Sequence, residues 1–301
     1  MFDDYKKSGI IHKIIQNQLI NNFNKFTTSL DIVIFIEDQI KQLTKFDEKN
    51  PLHNGIAFPV GISINDVAAH FTPSIENNPI IMKDDVVKID FGIHINGHIT
   101  DGAISICPSG KYNELINISK HATELAIKNA GPDVILGEIG GIIQEYIERK
   151  EVEIDGTVFP IKSIYDLCGH NIQRYLIHSN KAVPNIKINY QERMLEGEVF
   201  AIETFPTTGD GSIYELKECN HYMIEPKDFK NIQNEINFDN NLKKIYDIRR
   251  SLAFCPRWFD FDINKCKYIT KYPVLKTTDR GIVSQYEKTI FIKDNGCKVL
   301  N

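Results

Sequence analysis

The chain predicts an α+β fold built from two similar halves, each a pair of helices with a block of antiparallel strands. Three observations carry this. Helical and strand periodicities fall in segregated blocks, and the helix-then-strand order occurs twice along the 301 residues. Asn96-Gly97 lies between two runs of strand character, the strongest short hairpin signal, because both residues tolerate the positive φ of a type I′ turn. Gly131-Pro132 is a strong stop between two helical stretches and separates their patterns cleanly. No clear internal repeat marks the halves as copies of one another.

Taken in order, Ile10, Ile11, Ile14, Ile15 and Leu19 recur at helical spacing and predict a first helix over 3–21 packed on that stripe. Thr28-Ser29-Leu30-Asp31 has the form of a capping box and opens a second helix through Ile32, Ile36, Ile40 and Leu43. Irregular strand material follows over 55–73. Val87, Ile89, Phe91, Ile93 and Ile95 then alternate with the period of a strand with one buried face, which turns Asp90 the other way. A two-residue turn at Asn96-Gly97 fixes the register: Ile95 opposes His98, Ile93 opposes Thr100 and Gly92 opposes Asp101. Asp101 therefore shares a face with Asp90, the two being diagonal neighbours about 7–8 Å apart at Cα. Helical spacing returns over 113–130 and 135–149, strand patterns over 157–206. A lysine-rich helical stretch holding Tyr246, Arg249 and Trp258 precedes a last strand over 281–292 and a turn at Asp294-Asn295-Gly296. No Pro/Gly/Ser linker divides the chain.

Composition excludes several classes of function. Apolar content of 42% and charged content of 25% are ordinary for a globular domain, and a net charge of −5 without a basic run offers no direct nucleic-acid binding. No apolar stretch is long enough to span a bilayer, so no membrane association is expected. The first residues are acidic and lack the apolar core of a secretory signal. Cysteines at 107, 168, 219, 255, 266 and 297 form no CxxC pair, which reads as reduced thiols in a cytoplasmic enzyme.

What does stand out is charge on strands. Two ionised carboxylates converging at Asp90 and Asp101 repel unless a proton or a cation sits between them. A pair of aspartates on a hairpin is more often solvated, so further ligands are needed. His170 and His178 are eight residues apart, an even spacing that predicts one face of one strand. Glu203 interrupts the apolar face of Val199, Ala201 and Phe205, and Glu287 shares a face with Val283, Gln285, Thr289 and Phe291. Such a glutamate is rarely tolerated unpaired. Asp90, Asp101, His170, Glu203 and Glu287 together make four carboxylates and one imidazole, enough charge to neutralise two divalent cations. Oxygen donors with one nitrogen suit Mn, Fe, Co or Zn without choosing among them.

The segments NGIAFPVGISINDVAAHFTP, the Asp-rich hairpin, GHNIQRYLIHSNKAVPN, EGEVFAIETF, ECNHYM, SLAFCPRWFD and QYEKT closely resemble type II methionine aminopeptidases, in that order along nearly the whole chain. The resemblance implies the pita-bread (creatinase/aminopeptidase) fold, a pseudo-twofold antiparallel sheet flanked by helices. It would comprise residues 1–220 and 273–301, with the type II helical insert at 221–272. It implies a metallo-aminopeptidase, with two divalent metal ions, that hydrolyses the bond after an N-terminal methionine and prefers a small residue next. Carried over by motif, Asp90, Asp101 and Glu287 would hold the first metal, and Asp101, His170, Glu203 and Glu287 the second. Glu203 would also move the proton, with His70 and His178 as catalytic histidines. The methionine side chain would meet Phe58, Ile177, His221, Ala253 and Tyr272, beside His70 and His178, a lining that suits a thioether. The resemblance also implies that a fumagillin-like epoxide would alkylate His70, as such compounds do the matching histidine in that family. The implied partners are N-terminal Met peptides and nascent chains, with the ribosome as a docking partner, and a monomer is expected. The nearest rivals are an X-Pro peptidase on the same fold and a non-enzymatic relative of the proliferation-associated type. Neither a proline-fitted pocket and extra N-terminal domain nor a lost ligand is evident here. Cys168 departs from the family's common Asn before Gly-His, Lys288 from a frequent His after the last glutamate, and a lysine-rich N-terminal extension is missing.

Overall fold

The computed structural model describes residues 1–235 and 239–301. Its first half opens with α1 (Phe2–Asn22) and α2 (Ser29–Thr44), followed by β1 (Asn54–Ile56), β2 (Gly61–Ile64), β3 (Val67–Ala69), β4 (Val87–Ile95) and β5 (His98–Ile106). The second begins with α3 (Asn113–Asn129) and α4 (Leu136–Glu148), then a small hairpin of β6 (Glu151–Ile154) and β7 (Thr157–Pro160). The strands β8 (Lys162–Ser163), β9 (Cys168–Ile172), β10 (Ala182–Pro184), β11 (Val199–Thr204), β12 (Pro206–Thr207) and β13 (Ile213–Met223) follow. After α5 (Phe229–Glu235) and α6 (Asn240–Arg249), the chain returns through β14 (Thr270–Thr277), β15 (Tyr286–Lys293) and β16 (Gly296–Val299). No described helix is long and apolar enough to cross a membrane.

The two-half reading holds. α1 and α2 lay Ile15, Leu19, Ile32, Ile36 and Ile40 on the Val87, Ile89, Phe91 and Ile93 face of β4. α3 and α4 do the same on the second sheet, with Leu136, Ile139 and Ile143 against Phe200, Ile202 and Ile290. β1 and β2 pair end to end along one edge of β4 and β5 along the other, while the second sheet runs β10-β9-β11-β15-β16. Side chains stitch the sheets together. The Thr289 hydroxyl accepts from the Asp101 N–H at 2.8 Å and donates to its carbonyl at 2.7 Å, and Ser105 Oγ does likewise with the backbone of Gln285.

Local chemistry explains most boundaries. The capping box at Thr28 is formed, with Asp31 returning a bond to the Thr28 N–H. Asn96 and Gly97 take φ of 50° and 81°, and the hairpin has the register counted from the turn. Other expectations needed correction. On α1, Ile10 and Ile14 face solvent, while Ser8 and His12 are fully buried. The reason is polar: Ser8 Oγ meets Thr100 Oγ1 at 2.6 Å, and His12 Nε2 lies 3.0 Å from the Phe91 carbonyl with its ring stacked on Phe91. β4 buries both faces rather than one, because Lys88 and His94 are enclosed too. Lys88 Nζ is satisfied by the carbonyls of Asn65 and Val283, both at 2.9 Å. Trp258 lies beyond the lysine-rich helix, in a 3₁₀ turn at Pro256–Trp258. The strand expected over 281–292 is β15 and begins only at Tyr286, so Val283 and Gln285 precede it, and β16 follows it.

Tyr222, Ile224, Ile232, Leu242, Ile245, Tyr246, Phe254 and Ile263 form a hydrophobic cluster of their own. Residues 236–238 of the expected insert lie outside the described residues. One link to the first half is a fork of Arg257 on Glu37, which also accepts from Trp258 Nε1 at 3.1 Å. All six cysteines are free. Thiol titration of denatured, unreduced protein should therefore count six, and a stable disulfide would contradict this arrangement.

Candidate active site

Between the two sheets lies a cavity of about 570 Å³. Its lining includes every residue singled out from the sequence: Asp90, Asp101, His170, Glu203 and Glu287 on its polar wall, and Phe58, His70, Ile177, His178, His221, Ala253 and Tyr272 around the rest. The scaffold explains how distant positions meet. Asp101 sits opposite Gly92 on the β4–β5 hairpin, and Glu203 on β11 is paired directly with Glu287 on β15. His170 on β9 is held beside β11, opposite Ala201. Gly169 permits that approach, since a Cβ there would sit 2.4 Å from the Ala201 carbonyl.

His178 reaches the cavity by a different route from the one its spacing implied. β9 ends at Ile172 and the chain reverses through Gln173–Leu176, where Tyr175 takes a positive φ of 61°. The reversal folds His178 back onto His170, ring centroids 4.3 Å apart and edge to face. Gly92 also has a second function. A Cβ on it would lie 2.1 Å from Phe58 Cε1, so its missing side chain makes room for a wall of the pocket.

The electrostatics are those of a cation site. Asp101, His170 and Glu287 each offer a ligand atom within 4.8 Å of the others. His170 Nε2 faces Asp101 Oδ2 at 3.6 Å and Glu203 Oε1 at 3.8 Å. Among the described residues no lysine or arginine forms an ion pair with any of the four carboxylates. Burial pushes the Asp90 carboxyl up to about 7. Burial, and then the charges of the neighbouring carboxylates, raise Asp101, Glu203 and Glu287 well above the ordinary range. His170 cannot supply the missing positive charge, because burial lowers it to about 4 and leaves it neutral. Oxygens of Asp90, Asp101 and Glu287 are buried without a hydrogen-bond partner. Orphaned anionic oxygens around a neutral imidazole are costly in a bare protein and fit divalent cations.

The histidines on the other wall are also neutral. Burial lowers the pKa of His70, of His178 and of His221, the last to about 3. His70 takes a left-handed φ of 65°, and its Nδ1 lies 3.2 Å from the Pro273 carbonyl. A carbonyl only accepts, so Nδ1 carries the hydrogen and Nε2 keeps a free lone pair. The His70 ring stands 6.0 Å from the rings of both His221 and Tyr272.

Two supports were not assigned a role from the sequence. The Gln285 amide donates to Glu203 Oε2 at 3.1 Å and to Asp90 Oδ2 at 3.4 Å, and so ties one carboxylate from each sheet. Asn301 Nδ2 donates to the Asp101 carbonyl at 2.7 Å, and Asn301 Oδ1 accepts from Thr289 N–H. Gln285 was visible on the Glu287 face; nothing in local sequence points from Asn301 to Asp101.

Residues 3–238 match the model of metallopeptidase family M24. The chain is 37% identical to methionine aminopeptidase 2-1 of Fusarium vanettenii, over 96% of this chain and 68% of that one. It is 37% identical to methionine aminopeptidase 2 of Sordaria macrospora, over 99% and 71%. In fold it is similar to the methionine aminopeptidase of Thermotoga maritima, with a TM-score of 0.67, 19% identity, and 99% of this chain and 95% of that one covered.

Proposed function

Because the chain belongs to metallopeptidase family M24, we propose that it removes the N-terminal methionine from peptides and nascent proteins, as a type II enzyme on the pita-bread fold. One observation carries this: three buried carboxylates, the partly buried Asp90 and a neutral histidine, none of the carboxylates paired with a lysine or arginine among the described residues, line the same cavity as an apolar and aromatic pocket. The 37% identity to methionine aminopeptidases 2 supports the same substrate.

Asp90, Asp101 and Glu287 would hold one divalent cation and Asp101, His170, Glu203 and Glu287 a second, with Asp101 and Glu287 shared; Co, Mn, Fe and Zn all suit these donors. Bound there, the cations supply Lewis acidity and a more acidic water. The protein's own groups do the rest. Glu203, oriented by the Gln285 amide, holds and returns the proton of the attacking water. His70, its Nδ1 hydrogen committed to Pro273, accepts a hydrogen bond at Nε2 from the scissile N–H and guides the leaving amine. His178 stands between His170 and Tyr272, 5.8 Å from the Tyr272 ring, and contacts the substrate backbone. The methionine thioether packs among Phe58, Ile177, His221, Ala253 and Tyr272, where sulfur meets ring edges favourably. A small residue after methionine fits the enclosed site best.

We further take residues 221–272 as an inserted helical subdomain on a catalytic domain of 1–220 and 273–301, a reading supported by the separate hydrophobic cluster there. A cytoplasmic monomer working on nascent chains, with docking on the ribosome, completes the proposal. The test is hydrolysis of Met-Ala-Ser against an Ala-Pro peptide, with metal removed by a chelator and each ion restored in turn. Methionine release that needs metal is expected. Preferential cleavage of Ala-Pro would assign an X-Pro peptidase, and metal binding without hydrolysis would assign a binding role.

A further inference from the structure

Arg249, at the C-terminal end of α6, is 9% exposed and forms no ion pair among the described residues. A cation so enclosed is costly unless its N–H groups are satisfied. Its satisfaction is concentrated at one atom. Nη2 donates to the carbonyls of Ile56 at 3.0 Å, Ala57 at 3.1 Å and Ala253 at 2.5 Å, two hydrogens shared among three acceptors. The indole of Trp258 covers the guanidinium at 4.9 Å.

Those three carbonyls belong to two chain segments that line the proposed methionine pocket. Ala57 immediately precedes Phe58, and Ala253 is itself in the lining. The segment between Arg249 and Ala253 reaches a third wall, because Ser251 Oγ donates to the Tyr175 carbonyl at 2.7 Å, two residues before Ile177. The Phe58 ring packs onto the β4 backbone, in the place a side chain at Gly92 would take. The distance between the Phe58 and Ala253 walls therefore depends on what joins their backbones, and the guanidinium joins them.

We propose that Arg249 is a positioning residue for substrate selection: by binding the Ile56, Ala57 and Ala253 carbonyls together it holds the pocket at a width that accepts unbranched methionine and rejects branched side chains. This rests on the assignment of that pocket to methionine. An uncharged replacement leaves three buried carbonyls without a donor and lets the walls part. A lysine keeps the charge but not the planar donor geometry.

The experiment compares Arg249→Met, Arg249→Lys and, as a control, Arg257→Met, which breaks the fork to Glu37 outside the cavity. Each metal-loaded protein is assayed for KM and kcat on Met-Ala-Ser and Leu-Ala-Ser, with a thermal melt alongside. For Arg249→Met, KM for the Met peptide should rise about 10-fold or more with kcat within about 3-fold, and preference for Met over Leu should fall by a similar factor. Arg249→Lys should lie between it and the wild type. Arg257→Met should melt earlier with its Met-to-Leu preference intact. Should Arg249→Met fail to fold, Arg249→Lys carries the test. Unchanged KM and preference in the folded Arg249 variants would overturn the proposal, as would an equal loss of preference in Arg257→Met, which would mean general loosening. A wild type inactive on Met-Ala-Ser defeats the functional reading itself, whereas an active wild type with indifferent variants defeats only this inference.

Discussion

Asp101→Asn is expected to abolish peptidase activity, a fall of at least ~10³-fold, the upper end of what loss of one transition-state charge stabiliser costs. Asp101 is the carboxylate through which the cluster is joined: it is 3% exposed, faces His170 at 3.6 Å and offers a ligand atom within 4.8 Å of those of His170 and Glu287. An amide removes one negative charge, offers N–H hydrogens where a cation should sit, and cannot serve two ions. Metal content measured on the purified protein should fall below that of the wild type. A second readout is independent of turnover. Without cations the four carboxylates repel, so the metal-free variant should melt no earlier than metal-free wild type, and should gain less stability when metal is added. Glu287→Gln should behave in the same way. Lys288→Ala should not, because Lys288 points away from the cluster and its Nζ donates to Gln16 at 3.2 Å. Near-normal turnover with full metal content in Asp101→Asn would refute the shared-ligand assignment.

His70→Ala should keep the fold and the metal content while turnover drops by ~10²-fold or more, the usual size of a general acid–base contribution. The bland alternative is a half-buried histidine that merely braces a turn, and it predicts a stability loss instead. The geometry separates the two. His70 gives up one hydrogen bond to the Pro273 carbonyl, about 1 kcal/mol, and its φ of 65° is one that alanine shares with similar reluctance. A large stability cost is not expected. The free Nε2 lone pair is held toward the cavity by a neutral ring whose pKa burial lowers. It is therefore also a nucleophile. A fumagillin-like epoxide should add once, and peptide mapping should place the adduct on His70; labelling elsewhere, or none on an active enzyme, would remove the type II assignment.

Much of the fold was legible because it is written in short-range pattern. Thr28 to Asp31 capped a helix as their side chains require, and Asn96-Gly97 set a register that carried Asp101 opposite Gly92 without reference to the rest of the chain. Glu203 and Glu287 betrayed themselves as charges on apolar strand faces, an anomaly that needs no neighbour to be seen. Where the pattern misled, a distant polar partner had won. Ile10 and Ile14 lost the buried face of α1 because Thr100 and the carbonyl of Phe91 offered Ser8 and His12 hydrogen bonds that isoleucine cannot make. His178 came to His170 by a chain reversal at Tyr175, not by strand spacing. The sequence by itself determined the ligand types, the hairpin that pairs two of them, and the family motifs around them, since each depends on residues close along the chain. Only the tertiary structure decided that Glu203 and Glu287 stand side by side, that Gln285 spans both sheets, and that one guanidinium joins two walls of the pocket. Those contacts link residues up to about two hundred positions apart, and short-range periodicity carries no information about which distant backbone groups will share a donor.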